Sequence, residues 1–258
     1  GKVQSLFSRQ YQAPVLYENP AGGMFPMLPM ANRVAGNRFI FQGREIVLPR
    51  HHADAHFFLH GDGWLQRWDI IARDGDFCVL QLRRQHACGF DYLAQIRYQL
   101  LRNQLIASLT LTHCGSTPIP YGCGFHPFFS FDKRSTVQFT AGGYWPEGEQ
   151  HLPLDWQSHL PGYADFSHPQ YGEDRWLNVG YSGWSGRARI VSDVMTITIL
   201  SQTSWLMLFR MQGEPFLCLE PQTHPVNAHN MDGQPGLRVL GAGDTLNFSL
   251  KIDVQGRE

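Results

Sequence analysis

The sequence has almost no excess charge of either sign, because 21 lysines and arginines stand against 22 aspartates and glutamates. A nucleic-acid-binding protein carries a basic patch that attracts phosphates, and no basic run occurs in this chain. Long hydrophobic runs are lacking as well. The apolar stretch Trp205–Phe209 is far shorter than the roughly 20 residues that span a membrane. We therefore expect neither a nucleic-acid partner nor a membrane partner.

Cysteine is also scarce and lacks any paired spacing. The chain has five cysteines, an odd number, and no C-x-x-C motif, which argues against a disulfide framework or a zinc knuckle. Free cysteines behave as small buried hydrophobic residues in reducing compartments, so a cytoplasmic protein is the expectation. The chain starts with Gly1 and not with Met, and we expect a short N-terminal segment to be missing.

Helical periodicity is missing too, since no window of about 12 residues has an amphipathic helical pattern. Alternation with a period of two dominates instead. Pairs of alternating runs flank short turns within 39–48, 68–82, 94–112, 187–200 and 205–220, and a further run covers 245–254. Twenty-six glycines and sixteen prolines suit frequent turns. The pattern predicts an all-β sandwich or barrel.

No linker, repeat or charge run divides the chain, so a single domain over residues 1–258 is predicted. The segment 141–174 is the least regular part of it and is rich in Pro, Gly, His and Trp. We interpret this segment as long connections on a rigid sheet, where binding groups often lie.

Four short segments combine rigid backbone residues with polar groups that folding alone does not require. They are Phe25–Arg33, Phe58–Trp64, Tyr121–Phe129 and Cys218–Pro225. Each polar residue taken singly is as easily explained by packing or by a surface ion pair. Together they offer His126 between aromatic residues and Glu220 at the end of an apolar run. A carboxylate and an imidazole placed across a small cavity make a general base and a general acid.

These segments, in this order, resemble the aldose 1-epimerase (galactose mutarotase) family over roughly nine-tenths of the chain. The best-matched segments are Phe25–Arg33, Leu59-His60-Gly61, Gly124–Phe129 and Glu220–Thr223. The resemblance implies a large antiparallel β-sandwich, the galactose mutarotase-like supersandwich, with few short helices and a sugar cleft on one sheet. It also implies an isomerase that interconverts the α and β anomers of a free aldose.

The resemblance further implies a role for each matched residue. Glu220 would remove the proton from the anomeric hydroxyl, and His126 would protonate the ring oxygen. His60 and Arg33 would bind sugar hydroxyls, with Asn32 as a supporting neighbour. The reaction consists of two proton transfers, so no metal and no organic cofactor is expected. The expected partner is a monosaccharide, bound by a monomer or a homodimer.

One position departs from the family pattern. Many members place a sugar-binding Asp shortly before an aromatic-Gly-Trp-x-Gly-Arg segment, and the matching residue here is Asn178. Asn can still bind hydroxyls but loses the charge-assisted part of the contact, and Asp174 is the expected substitute for the missing carboxylate.

A related branch acts on hexose 6-phosphates and needs a cluster of cations, for which Arg33, Arg67 and Arg175 are candidates.

Two other functions compete with an epimerase. A carbohydrate-binding or regulatory module without turnover would use the same cleft, and the Asn178 departure is its support. A cupin-like metal site would need two histidines spaced by one residue with a nearby Glu. His51 and His52 are adjacent, whereas His224 and His229 are five apart, so neither pair fits.

The remaining aromatic and imidazole side chains are assigned by default. Packing is favoured for the tryptophans, although Trp64 and Trp184 lie close to the matched segments and are candidates for stacking on a sugar. His224 is expected to brace its loop. The other histidines have no motif around them and are assigned to surface or packing roles: His51, His52, His56, His86, His113, His151, His159, His168 and His229.

Overall fold

The computed structural model describes residues 1–19 and 22–257, and β-strands account for nearly all of its regular structure. The strands are β1 (Phe7–Ser8), β2 (Ala13–Pro14), β3 (Met24–Met27), β4 (Arg38–Phe41), β5 (Arg44–Val47), β6 (Asp69–Arg73), β7 (Phe77–Gln85), β8 (Asp91–Leu101), β9 (Gln104–His113), β10 (Ile119–Tyr121), β11 (Gly124–Ser130), β12 (Thr136–Phe139), β13 (Gly143–Trp145), β14 (Gln170–Tyr171), β15 (Leu177–Ser182), β16 (Arg187–Val191), β17 (Met195–Ser201), β18 (Trp205–Arg210), β19 (Phe216–Gln222), β20 (Arg238–Leu240) and β21 (Thr245–Gly256).

Helical structure within the described residues is limited to short 3-10 turns. They cover Ala35–Asn37, Gly63–Leu65, Glu149–His151 and Ala228–Asn230. In the part of the chain that the structure describes, therefore, no helix has the length and apolar character that crossing a membrane requires.

Two large antiparallel sheets carry the fold. One has nine strands in the order β14-β12-β16-β17-β21-β9-β8-β7-β6, and the other has six in the order β13-β15-β18-β19-β11-β3. Hairpins between consecutive strands supply four of the eight strand pairings in the larger sheet. The smaller sheet instead brings together strands far apart in sequence, because β19 lies beside β11 and β11 lies beside β3.

The strand pattern predicted from period-two alternation is confirmed. Residues 94–101 and 104–112 pair as the hairpin β8–β9, and every second residue of β9, from Leu105 to Leu111, is buried. The other predicted hairpins correspond to the pairs β4–β5, β6–β7, β16–β17 and β18–β19. The all-β prediction with few short helices therefore holds.

The two sheets pack face to face, as a sandwich requires. The ring of Phe125 on β11 lies 6.0 Å from that of Phe248 on β21, and the ring of Phe139 on β12 lies 4.9 Å from that of Tyr181 on β15. One continuous hydrophobic core contains residues from both sheets. Burial of this apolar surface is the main driving force for folding.

The six-stranded sheet is buried on both of its faces. Along β19 every residue is buried, yet Leu217 and Leu219 belong to the inter-sheet core while Phe216 and Cys218 belong to a second apolar cluster on the opposite face. Alternation along the strand therefore directs Glu220, like Cys218, away from the core. This outer face is where the polar residues of the matched segments meet.

The cysteines follow the expected pattern only in part. All five are free thiols, and Cys123 and Cys218 are buried. Cys78 and Cys88 are partly buried, and Cys114 is exposed. The expectation of buried thiols was wrong for Cys114, which lies just beyond the end of β9 where the chain leaves the sheet.

Candidate active site

Strand register on the outer face of the six-stranded sheet aligns the candidate catalytic residues in one row. Strand β19 lies between β18 and β11, and the register of β11 against β19 places His126 directly across from Glu220. His126 pairs on its other side with Phe25 of β3. Met207 of β18 pairs with Glu220 and extends the row. Residues nearly a hundred positions apart are thus neighbours.

A second row runs parallel to the first and lies two residues further along each strand. Asn178 of β15 pairs with Phe209 of β18, and Phe209 pairs with Cys218 of β19. Cys218 in turn pairs with Phe128 of β11. Asn178 therefore stands at one end of this row, two strands away from the strand that carries Glu220.

A cavity of about 420 Å³ opens over these rows, a size within the roughly 300–1,000 Å³ of small-molecule sites. Aromatic rings line its walls and floor: Phe25, Trp64, Phe128, Trp176 and Phe209. Polar side chains project among them: Lys2, Asn32, Arg33, His60, His126, His151, Asn178 and Glu220. All six residues that the sequence singled out for the site are in this set. The structure brings them together, and their roles stay predictions.

His126 and Glu220 are in direct contact at the bottom of the cavity. The distance from His126 Nε2 to Glu220 Oε1 is 3.1 Å, and both side chains are almost fully buried. The imidazole packs beside the rings of Phe25 and Phe128, with centroids 4.6 Å and 4.7 Å away. The second carboxyl oxygen, Oε2, has no hydrogen-bond partner among the described residues. A buried acceptor without a partner needs an explanation, and the side chain that carries it lines the cavity.

Burial shifts the pKa of each member of this pair in the direction that favours its neutral form. The pKa of Glu220 rises from 4.5 to about 8, opposed only by the nearby charge of Arg33. The pKa of His126 falls from 6.5 to about 3, chiefly through burial and further through Arg33. Between these two pH values the contact holds one proton, which belongs to the pair and not to either residue.

His60 is fixed by a reciprocal contact between two loops. Its backbone N–H donates to the carbonyl of Asn32 over 2.9 Å, and its Nδ1 accepts from the backbone N–H of Asn32 over 3.1 Å. Burial, reinforced by the charges of His126 and Arg33, lowers the pKa of His60 well below its usual value. A neutral imidazole that accepts at Nδ1 carries its proton on Nε2. His60 therefore presents a hydrogen-bond donor to the cavity.

Both residues of that contact have left-handed backbone, with φ of 60° at Asn32 and 58° at His60. This conformation costs a non-glycine residue roughly 1–2 kcal/mol, and the reciprocal hydrogen bonds offset it. The side chain of Asn32 has a further use, because its Oδ1 accepts from Nη1 of Arg33 over 3.3 Å. Asn32 thus contacts Arg33 directly, and its role as a supporting neighbour stays a prediction.

Gly61 allows the two loops to approach each other. Its φ is 64°, and a Cβ at this position would lie 2.1 Å from the carbonyl oxygen of Leu28. Only glycine fits such a backbone-to-backbone approach. The loop that carries His60 is therefore positioned by the loop that leads to Asn32 and Arg33.

We expect Gly61→Ala to destabilise the protein and to impair any activity that depends on His60. The left-handed backbone costs about 1–2 kcal/mol, and the clash with Leu28 adds roughly 1–3 kcal/mol of overpacking. Gly43→Ala is the matched control, because Gly43 has φ of 74° with no atom within 4 Å. Thermal unfolding and steady-state kinetics would compare the two. Equal losses of stability in both variants would contradict the close approach at Gly61.

His224 braces the site and does not line the cavity. It is 1% exposed, its Nε2 accepts from the backbone N–H of Ala31 over 3.1 Å, and its Nδ1 donates to the carbonyl of Pro225 over 2.8 Å. The imidazole thereby ties the Asn32–Arg33 loop to the segment that follows Glu220. The expectation that His224 braces its loop agrees with these contacts.

Asn178 lines the cavity, but Asp174 does not provide the carboxylate expected beside it. The Oδ1 atom of Asp174 accepts a hydrogen bond from the backbone N–H of Gly213, away from the cavity. The carboxylate that contacts Asn178 belongs to Glu147, whose Oε1 lies 2.6 Å from Asn178 Nδ2. The expectation for Asp174 was wrong. The carboxylate that contacts Asn178 follows the end of β13, whereas Asp174 lies in the segment before β15.

Several lining residues escaped sequence reasoning. His151 was assigned to a surface or packing role and lines the cavity instead, as do Trp176 and Phe209. His151 lies in a turn in which both Gln150 and His151 have positive φ. Hydrophobic periodicity gives no signal for such a turn. The only available signal was that the irregular segment 141–174 is rich in His and Trp.

The two tryptophans considered for stacking on a ligand lie in different places. Trp64 lines the cavity and stacks on Phe25 with ring centroids 4.8 Å apart, whereas Trp184 is buried in the inter-sheet core. Of the three arginines considered for a phosphate cluster, only Arg33 lines the cavity, and Lys2 is the other cation there. Arg67 and Arg175 lie elsewhere.

Among the residues that the structure describes, one set of side chains has the donor types of a metal site. Ligand atoms of His126, Cys218 and Glu220 lie within 4.8 Å of one another. Metal binding requires the thiolate form of cysteine, and burial raises the pKa of Cys218 well above its usual value. The thiol form is therefore favoured, which weakens this set as a metal site.

Comparison with known proteins gives a consistent result. The family model described as aldose 1-epimerase matches residues 8–253. YphB, an uncharacterised protein of Escherichia coli K12, is 34% identical over 244 residues, which cover 90% of this chain and 83% of YphB.

Solved structures agree with the sequence matches. A crystal structure of a candidate aldose 1-epimerase from Escherichia coli K12 has a TM-score of 0.94 at 30% identity and covers 100% of this chain and 93% of its own. A galactose mutarotase-like protein from Clostridium acetobutylicum has a TM-score of 0.84 at 15% identity and covers 99% and 90%. The second likeness concerns the fold alone.

Proposed function

Because this chain belongs to the aldose 1-epimerase family, we propose that it interconverts the α and β anomers of a free aldose. The observation that carries the proposal is the buried contact between His126 and Glu220, 3.1 Å apart and facing a cavity of sugar size. Ring opening needs one group that removes a proton and one that supplies it. A pair that holds a single proton between its members meets both needs.

The sugar is proposed to bind with its anomeric hydroxyl at Glu220 and its ring oxygen at His126. Glu220 removes the hydroxyl proton while His126 protonates the ring oxygen, and the bond between C1 and the ring oxygen breaks. The open aldehyde rotates about the C1–C2 bond. Closure then reverses both transfers and releases the other anomer with the pair restored. Each positioned proton-transfer group typically contributes about 10²–10⁴-fold to such a rate.

The resting pair must shift its proton before this chemistry starts. Burial favours a neutral carboxyl on Glu220 beside a neutral imidazole on His126. Catalysis as proposed needs the proton on the imidazole and the charge on the carboxylate. The direct contact between Nε2 and Oε1 offers the path, since the proton moves along an existing hydrogen bond. The number of protons on the pair does not change.

The rest of the cavity supports binding and orientation. His60 offers its Nε2–H to the ring oxygen or a neighbouring hydroxyl, and Arg33 offers donors to hydroxyls at the rim. The aromatic walls suit the apolar C–H faces of a pyranose, with Trp64 and Phe209 among them. Because Arg67 and Arg175 do not converge on the cavity, an unphosphorylated sugar is the proposed substrate. The five free thiols support a cytoplasmic location.

Polarimetry on freshly dissolved α-glucose, α-galactose and a panel of other aldoses tests the proposal directly. The purified protein is expected to accelerate the approach to equilibrium in proportion to its concentration. Rates equal to those of buffer on every sugar would refute an epimerase. Saturable sugar binding by calorimetry without acceleration would favour the alternative, a carbohydrate-binding module that uses the same cleft.

The pH dependence of turnover follows from the shared proton. After subtraction of the buffer rate, kcat/KM is expected to stay level between pH 5 and 7. It should fall about tenfold per pH unit above roughly pH 8, where the pair loses its last proton and no acid remains. A profile that keeps rising to pH 10 would contradict the assignment of the raised pKa to Glu220.

A further inference from the structure

A second carboxylate stands behind the wall of the cavity opposite His60. Glu147 receives three hydrogen bonds: its Oε1 accepts from Asn178 Nδ2 over 2.6 Å and from His151 Nδ1, and its Oε2 accepts from Trp176 Nε1 over 2.7 Å. All three donors line the cavity, whereas Glu147 lines only a smaller neighbouring pocket. We call Glu147, His151, Trp176 and Asn178 the far wall.

Backbone register explains why these residues meet. Trp145, the last residue of β13, pairs with Gly180 of β15, so Glu147 falls across from Asn178 just beyond the strand end. A tight turn with positive φ at Gln150 and His151 then brings His151 back beside Glu147. The contacts come from main-chain geometry at both positions and not from one flexible side chain.

The chemistry of a carboxylate fixes the orientation of its neighbours. An ionised carboxylate only accepts hydrogen bonds, so the group of Asn178 that contacts it is the amide NH₂. The amide oxygen of Asn178 is left for the cavity. Nδ1 of His151 is likewise occupied, which leaves Nε2 as the ring nitrogen that can reach a ligand.

We propose that Glu147 is the positioning residue of the far wall, and that it fixes Asn178 and His151 to bind hydroxyls of the sugar. This inference rests on the proposed function for its substrate class. Glu147 supplies the negative charge of this wall from behind, through the amide of Asn178. Substrate contact itself falls to Asn178 and His151.

The electrostatics of Glu147 agree with that role. Partial burial raises its pKa, but the hydrogen bonds from Asn178, His151 and Trp176 outweigh burial, and the net result is a pKa below its usual value. Glu147 is therefore ionised at neutral pH, and its charge also acts on Arg33 across the cavity. A fixed negative charge polarises the amide and imidazole that it holds.

An exchange of the carboxylate and the amide tests the proposal. Asn178→Asp alone places two carboxylates in contact and is expected to lower kcat/KM roughly 30-fold or more, mainly by raising KM. Glu147→Gln alone removes the charge that holds three donors and should cost about tenfold. The double variant Glu147→Gln/Asn178→Asp restores one carboxylate and one amide. Its kcat/KM should return to within about threefold of the wild-type value, a coupling that independent sites do not show.

Asp174→Asn is the matched control, because Asp174 is an acidic residue near Asn178 in sequence whose contact lies outside the cavity. It should leave kcat/KM within about twofold of wild type. Thermal unfolding of all four variants separates misfolding from loss of binding. If the double variant is no better than the worse single variant, or if Asn178→Asp equals wild type, the inference is overturned.

Failure of this inference and failure of the proposed function give different results. A wild-type protein that accelerates anomer exchange, with variants that do not follow the expected order, overturns only the role of Glu147. If the wild type binds sugars without accelerating exchange, the proposed function fails, and the dissociation constants of the same variants decide the inference. A wild type that binds no sugar of the panel refutes both.

Discussion

Replacing Glu220 with glutamine is expected to lower kcat/KM for anomer exchange by about 10³-fold, close to the level of the buffer. Glutamine has the same shape and can still contact His126 Nε2, which lies 3.1 Å from Oε1 in the wild type. It cannot remove a proton from the anomeric hydroxyl, and it cannot share a proton with the imidazole. The loss should appear in kcat, because the amide still binds hydroxyls.

The same substitution should stabilise the fold at high pH. The pKa of Glu220 rises from 4.5 to about 8 on folding, so the folded protein holds this proton more tightly than the unfolded chain. The favourable contribution is complete below pH 4.5 and is lost as the pH rises to about 8. Glutamine does not titrate. The melting temperature of Glu220→Gln relative to wild type should therefore increase between pH 5 and 8.

Polarimetry and thermal unfolding across this pH range check both halves of the prediction. Glu45→Gln is the matched control, because Glu45 is exposed on the β4–β5 hairpin and forms only a surface ion pair with Arg38. Such pairs contribute little, so that variant should resemble wild type in both measurements. Full activity in Glu220→Gln would remove Glu220 from its proposed role.

The strands were predictable because burial leaves a local trace in the sequence. Alternation from Leu105 to Leu111 reports which face of β9 meets the core, and no knowledge of neighbouring strands is needed. The same rule directs Glu220 to the face opposite Leu219. Local pattern thus predicted the fold class and the side of the strand on which each candidate residue lies.

Strand order was not predictable from the residues alone. His126 and Glu220 meet because β11 lies beside β19, a pairing between strands distant in sequence that leaves no mark on either segment. The grouping of the site residues came from resemblance to a family and not from spacing. Where the chain departs from that family, at Asn178, closeness in sequence suggested Asp174, and the contact proved to be with Glu147.

The far wall shows a second limit of prediction from the sequence. Glu147 and His151 meet through a turn whose two left-handed residues, Gln150 and His151, are not glycine, so the sequence does not indicate this conformation at those two positions. Their neighbours Gln150 and Gly148 carry no chemistry. A histidine with no motif around it was therefore assigned to packing, although it faces the same cavity as His126.

His126→Ala is expected to lower kcat by about 10²–10⁴-fold and to regain part of that loss when imidazole is added. The side chain occupies a slot beside Phe25 and Phe128, with ring centroids 4.6 Å and 4.7 Å away, and it lines the cavity. Removing the ring leaves a gap of about imidazole size next to these two aromatic rings. Free imidazole can enter it and donate a proton to the ring oxygen.

His126→Phe is the control that separates rescue in the slot from catalysis in solution, because imidazole itself accelerates anomer exchange as a general base. The phenyl ring fills the slot and preserves the stack with Phe25 and Phe128, so this variant should be as slow as His126→Ala and should not respond to added imidazole beyond the buffer rate. Saturable rescue in the alanine variant alone would place the proton donor at position 126. Equal responses in both variants would mean that the imidazole acts in solution and does not bind in the gap, and an unchanged kcat in His126→Ala would remove His126 from its proposed role.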